Sequence, residues 1–149
     1  MKKQLLYLLS IILLLNCCSS NTNRKIVFQK LEMYLSAFGV ESDSFPSIDS
    51  YIDFVNDSGI CKRSYYNPAI KGSTYKLSDS EIKKLLQLLQ TTNLSTLKEE
   101  YKGEKDRIPD QPTSDITIYT TRKDFTIKDY GLGGNYPLKE LYKTVYKLY

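Results

Sequence analysis

The chain has no histidine and no tryptophan among its 149 residues, and only three cysteines, five prolines and seven glycines. Without histidine it lacks the side chain most used for proton transfer near neutral pH and the commonest metal ligand. A Ser-His-Asp or Cys-His centre is therefore excluded, and no G-x-S-x-G elbow is present. Neither G-x-G-x-x-G nor G-K-[ST] occurs, so the usual phosphate-binding loops are missing too. Charge of one sign is also scarce. The formal net charge is +4, spread along the chain, and it falls to +2 once Lys2 and Lys3 leave with a leader. That balance speaks against nucleic acid as a partner. These gaps point to no catalytic residue, no metal and no cofactor.

A transmembrane run of about 20 apolar residues is missing as well. The longest apolar stretch, Leu5 to Leu15, is interrupted only by Tyr7 and Ser10 and follows the basic Lys2-Lys3. Its length suits the hydrophobic region of a secretion signal. It ends in Leu14-Leu15-Asn16-Cys17-Cys18-Ser19-Ser20, with a leucine three residues before each cysteine, as in a lipobox. One of Cys18 and Cys17 then carries the lipid; the small Cys17 side chain before Cys18 favours Cys18. Residues 1–18 read as a lipoprotein signal peptide, 19–24 as a flexible tether and 25–149 as a single domain. The expected address is the bacterial cell envelope, with the chain held to the lipid bilayer by its N-terminal anchor. Ser19, in place of the Asp that marks inner-membrane retention, favours the outer membrane, with periplasmic and surface-facing orientations both open. With Cys18 as anchor and Cys17 removed, Cys61 is the last thiol in the domain, so no internal disulfide forms and no zinc site can be built.

What is present reads as a globular α+β domain, with 41% hydrophobic and 26% charged residues. Residues 25–38 fit either a strand begun by Ile26-Val27-Phe28 or a helix with Phe28, Leu31, Leu35 and Phe38 on one side. From Ser47 to Val55 the chain alternates, Ile48, Ser50, Ile52 and Phe54 against Asp49, Tyr51 and Asp53, as a half-buried strand does. Asn56-Asp57-Ser58-Gly59 is a turn, and Ile60 to Tyr66 returns as the second strand of a hairpin. Ser78-Asp79-Ser80-Glu81 is a capping box that opens a helix with Ile82, Leu85, Leu86 and Leu89 inward. Leu94, Leu97 and Tyr101 continue at helical spacing. Residues 102–114 form a polar loop. Asp115 to Thr120 and Asp124 to Tyr130 form a second hairpin, and Pro137 opens a last helix with Leu138, Leu141, Tyr142, Val145 and Leu148 inward. The expected architecture is an antiparallel sheet of four to five strands with two amphipathic helices on one face, in the order β-β-β-α-β-β-α.

Several short pieces, in this order and spacing, carry a family likeness: Phe45-Pro46-Ser47, Asn56-Asp57-Ser58-Gly59, Leu77-Ser78-Asp79-Ser80-Glu81, Leu94-Ser95-Thr96-Leu97, Asp110-Gln111-Pro112-Thr113 and Leu138-Lys139-Glu140-Leu141-Tyr142. In them the chain resembles DUF6438, a bacterial exported or lipoprotein domain of unknown function. The resemblance implies a strand over residues 25–33 and implies no activity. Where members carry cysteines before the first proline, this chain has Phe45 and a longer segment from Met33 to Ser44, so no role of those cysteines transfers.

Three features invite a functional reading. Gly131-Leu132-Gly133-Gly134, between a strand and a helix, is either an anion-binding nest or a plain tight connection. Asp49, Asp53 and Asp57 are either a carboxylate cluster, for calcium or acid/base chemistry, or a wetted strand face and turn. The third is the 13 tyrosines. Tyr51, Tyr65, Tyr66, Tyr119 and Tyr130 fall on or beside expected strands and form a candidate binding face, since tyrosine offers large contact area at low entropic cost. The expectation is a non-enzymatic accessory or protein-binding domain, with an envelope protein as partner. The alternatives are a small carboxylate-dependent hydrolase and a glycan-binding module.

Overall fold

The computed structural model describes residues 26–37, 42–102 and 111–148. The signal, the lipidation candidates Cys17 and Cys18 and the whole tether lie outside the described residues. Among the described residues no helix is long and apolar enough to cross a membrane.

Seven strands form one sheet in the order β4-β3-β2-β1-β6-β7-β5. At its centre lies β1 (Phe28–Ser36), antiparallel to both neighbours. The hairpin of β2 (Ser47–Asp53) and β3 (Ser58–Ser64) flanks it on one side, and the hairpin of β6 (Thr113–Thr120) and β7 (Phe125–Tyr130) on the other. Short strands close the edges. β4 (Ser73–Lys76) pairs antiparallel with β3, and β5 (Glu100–Tyr101) pairs parallel with β7. The sheet is therefore mixed and seven-stranded, which corrects the expected antiparallel sheet of four to five strands. The α+β class holds. Both edge strands escape the apolar pattern for one reason: their places are set by backbone pairing rather than by burial. Ser-Thr-Tyr-Lys offers no buried residue, and Tyr101, read as part of a helical spacing, pairs with Asp129 instead.

The hairpin turns follow from local chemistry. The Asp53 carboxylate accepts from the N–H groups of Val55 (2.9 Å) and Asn56 (3.0 Å) and from the Asn56 side chain (2.8 Å), folding the chain back on itself. Helix α1 (Asp79–Thr91) begins with the capping box: Ser78 Oγ accepts from Glu81 N–H (3.3 Å) and Glu81 Oε2 accepts from Ser78 N–H (2.7 Å). Ile82, Leu85 and Leu89 form its buried stripe. A 3-10 turn (Leu94–Thr96) follows, capped by Asn93. Helix α2 (Leu138–Val145) buries Leu138, Leu141, Tyr142 and Val145 and starts one residue after Pro137.

The two helices and the inward side chains of the sheet form one core. Leu31, Met33, Leu35, Ile48, Ile52, Ile116, Ile118 and Ile127 meet Ile82, Leu85, Leu89, Leu141, Tyr142 and Tyr146 there. The last two rings stack with centroids 5.7 Å apart. The C-terminal carbonyls of α2 are satisfied from the sheet, Val145 by the Tyr75 hydroxyl and Tyr146 by the Arg63 guanidinium.

Candidate functional site

The opposite side chains of the same strands form an open sheet face. On β1, Lys30, Glu32 and Tyr34 alternate with the buried Leu31, Met33 and Leu35. The register places Tyr34 between Asp49 of β2 and Asp115 of β6, Glu32 between Tyr51 and Thr117, and Lys30 between Asp53 and Tyr119. Lys62 of β3 continues the first row beyond Asp49, and Lys128 of β7 continues it beyond Asp115.

Two neighbourhoods differ within this face. Around Lys30 the ammonium, the Glu32 carboxylate and the Tyr119 hydroxyl engage one another. Its ammonium lies 2.8 Å from Glu32 Oε1, 4.0 Å from the centroid of the Tyr119 ring and 5.3 Å from that of Tyr51. The Tyr119 hydroxyl donates to the other Glu32 oxygen at 2.7 Å. Lys30, and then the Tyr119 hydroxyl, hold the Glu32 carboxyl below the usual carboxylate range, while Glu32 raises both of its partners. This is a stiff platform rather than a proton-transfer site. Around Tyr34 the face dips into a shallow depression of about 460 Å³, lined by Glu32, Tyr34, Asp49, Tyr51, Asp115 and Thr117. Its centre is aromatic and acidic, and among the described residues no lysine or arginine lines it.

The tyrosines singled out in the sequence divide between two places. Tyr51, Tyr119 and Tyr130 stand on the open face, whereas Tyr65 and Tyr66 lie in the segment after β3, with Tyr66 90% exposed. Sequence reasoning missed Tyr34, which stands at the middle of the face and is 45% exposed. The inward run Leu31, Met33, Leu35 carries the period of two that would have found it. Asp49 and Asp53 share this face four residues apart, roughly 13 Å along a strand. That spacing is too long for an acid/base carboxylate pair, which needs about 5–9.5 Å. Asp53 and Asp57 serve the turn, Asp57 with φ of 46°. Among the described residues no group of three or more Cys, Asp or Glu is placed to hold a metal ion.

The glycine loop already holds an anion of the protein's own. Asp129 is fully buried, and its carboxylate accepts from Gly133 N–H (3.1 Å), Gly134 N–H (2.8 Å) and the Tyr142 hydroxyl (2.6 Å). The nest that a phosphate would need is thereby filled, and the tight-connection reading accounts for it. Cys61 is buried on the covered face, and desolvation pushes its thiol up, away from reactivity.

The family model described as a domain of unknown function (DUF6438) matches residues 46–149, from the residue before β2 through α2. The chain belongs to this family. In this DUF6438 member the central strand β1, with Tyr34 and Glu32, precedes the matched residues. The open face is thus assembled partly from within the matched region and partly from outside it. No curated protein and no solved structure matches the chain.

Proposed function

We propose that this DUF6438 member is a membrane-anchored lipoprotein of the bacterial envelope and that its domain is a non-enzymatic binding module, docking a protein partner on the open face of its sheet. The anchor rests on the Lys2-Lys3 start, the apolar run and the Cys17-Cys18 pair. The observation that carries the binding reading is the set of outward aromatics, Tyr34, Tyr51, Tyr119 and Tyr130, one on each of four neighbouring strands fixed by pairing and by the Lys30–Glu32–Tyr119 cluster. Aromatic side chains already held in place lose little freedom on binding. The acidic, aromatic depression around Tyr34 fits a basic side chain, which would stack on the ring between Asp49 and Asp115.

Photo-crosslinking residues placed at Tyr34 and Tyr51 in growing cells should trap one defined protein. The same residue at Tyr66 or at Lys83, on the outer side of α1, should not. Reversing Asp49 and Asp115 to Lys should abolish the adduct. Adducts of equal yield at all four positions, or none at any, would overturn the reading, and glycan capture by the same face would transfer it to a glycan-binding module.

A further inference from the structure

A second concave region lies at the end of the sheet where the chain enters the domain. It is a groove of about 820 Å³ between the C-terminal end of α1, the 3-10 turn and the β6–β7 turn. Its apolar lining is Ile26, Phe28, Leu89, Leu94 and Phe125, and Arg122 and Lys123 add cationic charge. Among the described residues no carboxylate lines it. Lys123 is seated on the lining itself, its ammonium 4.5 Å from the centroid of the Phe125 ring. Val27, beside Ile26, is an exposed apolar residue at this same end.

We propose that this groove docks on the membrane, taking an acyl chain of an anionic phospholipid against its apolar lining and the lipid phosphate at Arg122 and Lys123. The proposal rests on the lipoprotein reading for its geometry. The eight steps of chain from Cys18 to Ile26 span at most about 28 Å, so an anchor at Cys18 keeps the end bearing Ile26 close to the bilayer. Charge decides between the two sources of acyl chain. A diacylglyceryl group on the cysteine brings no phosphate, whereas an anionic phospholipid supplies both a chain for the apolar lining and a phosphate for the cationic rim. Each cation near such a surface contributes about a fivefold gain in partition, and the gain fades with salt.

The lack of tryptophan makes the test direct. The full lipidated protein, carrying a single reporter, Gln90→Trp or Phe125→Trp, is placed in phosphatidylglycerol and phosphatidylethanolamine vesicles with brominated acyl chains. Gln90 is an exposed groove residue, so that variant keeps the test alive if Phe125→Trp does not fold. Quenching is expected for both reporters and not for Tyr66→Trp, beyond the far end of β3. Lys123→Gln should weaken binding of a Cys17→Ser, Cys18→Ser form to the same vesicles about fivefold. A blue-shifted but unquenched groove reporter would give the groove to the protein's own acyl chains and overturn the proposal. The mass of the Cys17-Cys18 peptide reports separately on the anchor. An acylated protein without quenching sinks the docking alone. Quenching without acylation sinks the anchor and keeps the docking, and the absence of both rejects the two together.

Discussion

Replacing Asp129 tests whether a buried carboxylate holds the last turn and α2 in place. In Asp129→Ala three donors lose their acceptor. Gly133 is exposed, and its N–H can turn to water. The Gly134 N–H and the Tyr142 hydroxyl are buried and cannot. An unsatisfied buried donor costs about 1–3 kcal/mol, so the two together cost about 4 kcal/mol, a large share of a stability on the order of 5–15 kcal/mol. Asp129→Asn behaves differently. With its carbonyl oxygen in the Oδ2 position it still accepts from Gly134 and Tyr142, and the amide faces only the exposed Gly133 N–H, so about 1–2 kcal/mol is expected. Tyr142→Phe removes one donor to a charged acceptor and should cost about 1.5–3 kcal/mol. Combined with Asp129→Ala, it should cost less than the sum, because the hydroxyl is then no longer stranded. Urea unfolding at neutral pH reads all four, with the slope against denaturant unchanged. If Asp129→Ala lay within about 1 kcal/mol of the parent, or matched Asp129→Asn, the carboxylate would not be the organising group and the argument would fail.

Further outcomes follow from the same structure. Burial raises the hydroxyls of Tyr75, Tyr142 and Tyr146 above the ordinary tyrosine range. Their neutral forms belong to the fold, so stability should hold steady up to about pH 10 and fall as pH climbs from there. The exposed tyrosines ionise first, and the last part of the tyrosinate absorbance should rise together with the loss of circular dichroism; these three ionising in a folded protein would contradict their burial. Gly134→Ala drives a Cβ into Leu138 Cδ1 and to 2.6 Å from Asp129 Oδ2, whereas at Gly133 the nearest atom is 4.0 Å away. The first should cost about 2 kcal/mol or more and the second little, compared by thermal melting. Ser78→Ala and Glu81→Ala each remove half of the capping box, worth about 1 kcal/mol in urea. Ser78 N–H, first among several groups, holds the Glu81 carboxyl below its ordinary range. Its contribution is therefore present above about pH 4.3 and lost as pH falls through the folded value, and the stability gap between Glu81→Ala and the parent should shrink in acid.

The parts of the fold legible in the sequence are those where burial writes a period into the residues. The β2–β3 hairpin shows in Ile48, Ser50 and Ile52, and α1 in its capping box and Ile82, Leu85 and Leu89. β1 is ambiguous in the sequence because Leu31 and Leu35 satisfy both periods, and only Met33, buried in the structure, breaks the tie in favour of a strand. That ambiguity hid Tyr34, and with it the centre of the candidate face. β4 and β5 carry no period, since an edge strand can hold its place through the backbone alone. The role of Asp129 was illegible for another reason. A polar residue on the buried side of β7 looks like an error of alternation until the glycine N–H groups and Tyr142 that receive it are folded into place.

The position of β1 shapes how the molecule is made. It comes first among the described strands, and Leu31 pairs with both Ile52 and Ile118. The first partner begins at Ser47, soon after β1 ends at Ser36, but the second begins only at Thr113, after most of the domain has been produced. A chain emerging N-terminus first therefore holds half a sheet with an open, largely apolar inner face until β6 docks. Such long-range closure is slow, and the waiting edge is a template for unwanted pairing. Folding speed should thus depend on β6 reaching β1 more than on either hairpin. A chain halted before Thr113 would be a sticky fragment rather than a smaller version of the domain.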